Sequence, residues 1–112
     1  MEERELRRKM QAGELASNNG TVMRTLAIAG SDFKYLKLKS LLLALAGTMD
    51  KAALCSSINY LADSGYLQVR TIDEAHLPAS VSDMELEDLE VKLTPKGTQL
   101  QRCVKKDPLV DM

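Results

Sequence analysis

The chain has no tryptophan, one phenylalanine, three prolines, two cysteines and one histidine among its 112 residues. Each scarcity narrows the field. With so few aromatics, a core must be filled by Leu, Ile, Val, Ala and Met. Cys55 and Cys103 stand alone, without the close spacing of a metal site, and are expected as two reduced thiols of a cytoplasmic protein. His76 lies among acids with no partner in view to make it a general base. No apolar run approaches the ~20 residues of a membrane span, and no membrane partner is expected. The longest is Leu41-Leu42-Leu43-Ala44-Leu45-Ala46. The first ten residues, MEERELRRKM, lack the apolar segment of a signal peptide. No glycine-rich phosphate loop, nucleophile elbow or catalytic carboxylate pair is present, so no enzyme is expected, no catalytic residue is named, and neither metal nor cofactor is called for. A metal-sensor set from Cys55, Cys103, His76 and Asp73 is too scattered to adopt.

What the chain does have is an ordinary globular balance, 45% hydrophobic and 28% charged, at a length suited to one core. The net charge of −1 hides an uneven distribution. Residues 71–90 carry seven acids (Asp73, Glu74, Asp83, Glu85, Glu87, Asp88, Glu90) and no Lys or Arg. The flanking segments are mildly basic.

Periodicity sets the expected elements. A charged N-terminal helix or arm occupies 1–17, and Ser17-Asn18-Asn19-Gly20 is expected to break it. A short helix follows over Thr21–Ala29. Phe33–Lys37 reads as an edge strand. Leu38, Leu41, Leu42 and Leu45 recur at helical spacing, which makes Leu38–Ala46 a core helix. Gly47-Thr48-Met49 turns, and Asp50 caps a helix over Lys51–Ser64. Two helices joined this closely fit a helix-turn-helix. Tyr66–Ile72 and 87–93 alternate as two strands of a hairpin, with Ala75–Asp83 as a mobile loop between them. Thr94-Pro95 opens a last helix as N-cap and first-turn proline, with Leu100 and Val104 on its inner face. The organisation expected is a 1–17 arm, an 18–106 domain and a 107–112 tail.

Three passages then carry a resemblance. The leucine-rich helix followed by GTMD, the segment INYLADSGYLQVR and the segment VKLTPKG stand in the order and spacing of the winged helix-turn-helix superfamily, especially its MarR-, ArsR- and PadR-like bacterial branches. The ending LTPKGTQL…DPLVDM is similar to that of small winged-helix proteins carried by Mu-like phages and prophages. Arg102-Cys103 stand where such tails often carry a glycine before Asp-Pro. The resemblance implies an α+β, mainly α, fold with a three-helix core, a two-stranded wing and flanking terminal helices. It also implies a small transcriptional regulator that binds double-stranded DNA as a homodimer.

The residues can be placed on that plan. Leu54, Ile58 and Leu61 share the inner face of the Lys51–Ser64 helix, which leaves Ala52, Ser56, Asn59 and Asp63 outward. Asn59 could read adenine and Ser56 a base edge, but no arginine is there to read guanine. Lys34, Lys37, Lys39, Lys51, Arg70 and Lys92 are the candidate phosphate contacts. Leu6, Met10, Leu100 and Val104 are the candidate dimer contacts. The acidic 73–90 segment suits DNA poorly. The alternative is an interaction module that has lost DNA contact and offers its acidic wing to a basic protein partner.

Overall fold

The computed structural model describes residues 2–82, 84–103 and 105–111. The chain is α+β and mainly helical, with a small three-stranded antiparallel sheet. Helix α1 spans Glu3–Ile28, strand β1 Leu36–Lys37, helix α2 Leu38–Ala44 and helix α3 Lys51–Asp63. Strands β2 (Leu67–Thr71) and β3 (Leu89–Leu93) follow, and helix α4 spans Pro95–Gln101.

The expected break at Ser17–Gly20 does not occur. α1 runs unbroken through it for 26 residues. The reason is tertiary. Asn19 and Gly20 are buried, and the C-terminal tail lies across them. Asn19 Nδ2 donates to the Leu109 carbonyl at 2.7 Å, and the Asp111 amide donates to the Ala16 carbonyl at 2.9 Å. A Cβ on residue 20 would collide with the Asp111 carbonyl. The polar, glycine-bearing segment that reads as a loop is a docking strip in a helix. Propensity was overridden by a contact some 90 residues away in the chain.

The remaining elements follow their local chemistry. Gly30 at φ +76 turns the chain out of α1. Asp50 caps α3 by accepting from the Ala53 amide at 2.8 Å. Gly65 at φ +84 ends the α3 turn and sends the chain into β2. Thr94 caps α4 by accepting from the Gly97 amide at 3.0 Å, with Pro95 in the first turn.

The strands lie in the order β1-β3-β2. Leu67, Val69 and Thr71 stand opposite Leu93, Val91 and Leu89, and Leu36 stands opposite Val91 from the other side. This register turns Leu67, Val69, Leu89, Val91 and Leu93 inward. There they meet Val22, Met23 and Leu26 of α1, Leu38 and Leu41 of α2, Leu54, Ile58 and Leu61 of α3, and Leu100 of α4. Most of the helical members are completely shielded from solvent.

The β2–β3 connection is tied down over its first half. Thr71 and Asp73 organise it: Asp73 Oδ1 accepts from Thr71 Oγ1 at 2.8 Å and from the Ala75 amide at 3.1 Å. His76 takes φ +46 in the resulting turn. The chain then runs back along the open edge of β2. Thr71 donates to the Leu77 carbonyl at 2.9 Å, and Ala79 donates to the Val69 carbonyl at 3.1 Å. An edge strand's unpaired backbone groups need partners, and residues 77–79 supply them. The expectation of a mobile Ala75–Asp83 loop is corrected over these residues, while Asp83 itself lies outside the described residues.

Candidate functional site

Helix α3 is the element on which the functional question turns. Its inner face is fixed by Leu54, Ile58 and Leu61, all fully buried. The 3.6-residue period therefore leaves Ala52, Ser56, Asn59 and Asp63 exposed, the row expected from the sequence. Ser57 is buried beside Ile58, and its hydroxyl has no partner among the described residues.

The candidate cations do not gather around this row. They fall into three groups. Lys51, at the first turn of α3, faces two carboxylates: Glu85 at 3.7 Å and Glu87 at 3.9 Å. Arg70 and Lys92 stand on the outer face of the sheet. Arg70 Nε donates to Glu90 at 2.7 Å, and its guanidinium lies 3.5 Å from the Tyr35 ring centroid. The Lys92 ammonium is 6.0 Å from the same ring, and His76 Nδ1 is 3.5 Å from Glu90. Arg70 is thus held by a carboxylate and an aromatic face. Lys34, Lys37 and Lys39 are exposed around β1 and the start of α2, with no ion pair among the described residues.

The acidic segment comes back to α3. Pro78, Ala79, Ser80 and Val81 form one wall of a cleft whose other wall is Ile58, Asn59, Ala62 and Asp63. Further along, Ser82, Met84, Glu85 and Leu86 close a second cleft over Lys51 and Cys55. Leu86 anchors the segment in the core at 2% exposure. Partial burial raises the Cys55 thiol above its ordinary value; Lys51 opposes the rise, and Glu85 and Glu87 add to it. That environment disfavours the thiolate, so Cys55 is not set up as a nucleophile.

Comparison with protein-family models, curated proteins and solved structures returned no match. The functional reading therefore rests on the chain's own geometry.

The opposite end of α3 is where sequence reasoning missed most. Asp107 receives hydrogen bonds from Tyr60 (2.9 Å), from Tyr66 (2.7 Å) and from the Leu109 amide (2.9 Å). Burial alone would raise this carboxyl. The Leu109 amide, the two tyrosine hydroxyls and the nearby Lys96 charge outweigh it and hold Asp107 below its usual range. Burial, then the bond to Asp107, pushes Tyr66 up to about 12 and raises Tyr60 as well. The same corner joins two of the sequence motifs. Thr94 Oγ1 donates to the Gly65 carbonyl at 2.6 Å, and Lys96 Nζ donates to the Ser64 carbonyl at 2.8 Å. Gly97 touches the Tyr66 backbone so closely that a Cβ would not fit. The Asp-Pro of the tail and the two tyrosines were visible signals; their convergence was not.

Of the candidate dimer contacts, Leu6 and Met10 are 51% and 59% exposed on the free half of α1. Leu100 is buried, with its edge at the floor of a groove between α1 and the tail. Val104 lies outside the described residues. Among the described residues no group of three or more His, Cys, Asp or Glu is gathered to hold a metal ion. Among them too, no helix is long and apolar enough to cross a membrane.

Proposed function

We propose that this chain is a winged-helix domain that binds a protein partner through α3 and the acidic segment beside it. Support for the architecture comes from the element order: helix, edge strand, two helices joined by a turn, then a hairpin whose second strand lies between the first and the edge strand. A kinship with small phage winged-helix proteins belongs to the same proposal and rests on LTPKG and DPLVDM.

The observation that carries the protein-binding reading is the position of Glu85 and Glu87 on Lys51, at the end of α3 that a groove-reading helix would offer to DNA. Duplex DNA presents about one negative charge per 1.7 Å. Two glutamates at that end, with Asp50 and Asp63 on the same helix, repel such a surface. They suit a partner with Lys and Arg on its contact face. These ion pairs are exposed, so a basic partner can displace Lys51 at little cost.

A second reading, double-stranded DNA binding by a small transcriptional regulator, is favoured by a different observation. Ser56 and Asn59 are exposed on α3, and Lys34, Lys37 and Lys39 are exposed without an ion-pair partner among the described residues. Selection from a random-sequence duplex pool at low salt, run beside titration of a lysine- and arginine-rich helical peptide, separates the two. The proposal expects peptide binding that weakens in Glu85→Gln/Glu87→Gln, and no enriched DNA site. An enriched site lost in Asn59→Ala would move the conclusion to DNA.

A further inference from the structure

The sheet has two edges, and they are finished differently. At β2 the chain closes its own edge, where residues 77–79 bond the backbone of Val69 and Thr71. At β1 nothing among the described residues does the same.

The register shows which groups are left over. Val69 and Thr71 turn their backbone groups away from β3, so the β2–β3 ladder is bonded through Glu90 and Lys92. Val91 and Leu93 therefore bond on the β1 side, where Leu93 donates to the Ser31 carbonyl at 2.9 Å. Leu36, opposite Val91, directs its groups inward to β3. Tyr35 and Lys37, on either side of it, turn theirs out. The Tyr35 amide and carbonyl have no backbone partner among the described residues. Beyond Lys37 the edge stops, because Lys37 is the N-cap of α2.

Side chains mark this edge as well. Lys34, Lys37 and Lys39 are exposed with no ion pair among the described residues. Lys37 stands opposite Glu90, but that carboxylate is held by Arg70 at 2.7 Å and faces His76 at 3.5 Å. Phe33 is 84% exposed just upstream. Lysines along an edge discourage pairing with a like-charged strand, and two copies set edge to edge would bring their lysines together. The same lysines suit a strand of opposite charge.

We propose that β1 is a docking edge for an extended, acidic segment of a protein partner, which joins the sheet as a fourth strand. The Tyr35 amide and carbonyl and the Lys37 amide supply the main-chain bonds. Alternate side chains of the segment lie on the outer face of the sheet, where acids meet Lys37. An apolar residue at its end covers Phe33. Residues 77–79 show, on the opposite edge, that this sheet takes up an extended segment in the same manner. The edge is short, so binding is weak and falls with salt.

The test is a titration of the full chain with a capped peptide of about six residues alternating Glu and Val. Binding is followed by backbone amide NMR shifts. The readout is resolved residue by residue, so it stands or falls independently of what α3 binds. The largest shifts are expected at Phe33–Lys37 and Val91. Lys34→Glu/Lys37→Glu/Lys39→Glu is expected to weaken binding roughly tenfold or more. The decisive pair is Lys37→Ala and Lys37→Pro. Both remove the charge, and only proline removes the amide hydrogen. Lys37 already has φ −64, so proline fits the backbone. Lys37→Pro is expected to bind roughly threefold or more weakly than Lys37→Ala, with an unchanged unfolding midpoint. A peptide N-methylated at alternate residues should bind as weakly to the wild type. Equal binding by the two variants, or no loss on N-methylation, reduces the contact to charge alone and overturns the proposal. So do an absence of binding, shifts centred on another surface, and duplex DNA displacing the peptide from the same amides.

Discussion

The two ends of α3 are built differently. At the C-terminal end, Tyr60, Tyr66 and Asp107 share short hydrogen bonds, and Thr94, Lys96 and Gly97 close on Ser64, Gly65 and Tyr66. At the N-terminal end, Lys51 stands half in solvent beside two glutamates at 3.7 and 3.9 Å. Bonds to a partly buried carboxylate are worth about 1.5–3 kcal/mol each, whereas exposed ion pairs contribute about 0–1 kcal/mol. One end is therefore committed to holding the fold, and the other is available to something else. Two of the three motif segments that carry the family resemblance, INYLADSGYLQVR and VKLTPKG, meet at the committed end. For this reason they speak for architecture far more than for a ligand.

The contrast can be broken most sharply at Gly97. Gly97→Val places side-chain atoms inside the Tyr66 backbone. The neighbour is main chain and cannot move aside alone, so the cost should reach or exceed the roughly 1–3 kcal/mol typical of overpacking. Denaturant unfolding checks it; a variant as stable as wild type would remove the corner from the account.

Asp107→Asn comes next, with an expected loss of about 2 kcal/mol near neutral pH. The sign with pH is fixed. The folded-state pKa of Asp107 is depressed, so its contribution is full above the ordinary carboxyl value of 3.8 and is lost as pH falls through the lower folded value. The gap between wild type and Asp107→Asn should therefore close in acid. Tyr66 acts on the alkaline side. Its folded value is raised from 10.0 to about 12, so the neutral hydroxyl's contribution is lost as pH rises across that interval. Unfolding midpoints across the pH range report both limbs.

Thr94→Ala removes the α4 cap and the bond to Gly65, with an expected cost of about 1 kcal/mol. At the other end, Lys51→Ala should change stability by no more than about 0.5 kcal/mol. A Lys51→Ala cost rivalling that of Asp107→Asn would erase the difference between the two ends.

How much of this was legible in the sequence follows the same division. The helices α2 and α3, the Asp50 and Thr94 caps, the Gly65 exit, the edge strand and the inward alternation of Leu89, Val91 and Leu93 are local features. Periodicity and capping chemistry report them directly. The outward row of Ala52, Ser56, Asn59 and Asp63 also followed, because one buried face fixes its opposite. What failed was long-range. Ser17-Asn18-Asn19-Gly20 has loop composition, and only the tail 90 residues later makes it helix. The fold-back of residues 77–79 depends on the open edge of β2. The scatter of the six cations depends on which face each element turns outward, and on carboxylates brought in from a distant segment.

The measurement closest to the central claim is duplex binding by a charge-reversed α3 end. Random-sequence duplex DNA is titrated at low and moderate salt against the wild type and against Glu85→Lys/Glu87→Lys. The account predicts no salt-dependent binding by the wild type. It predicts binding by the variant that weakens steeply with salt, since two repulsive charges become two phosphate contacts beside Lys51. Tight, salt-dependent binding by the wild type, unchanged by the reversal, would contradict it.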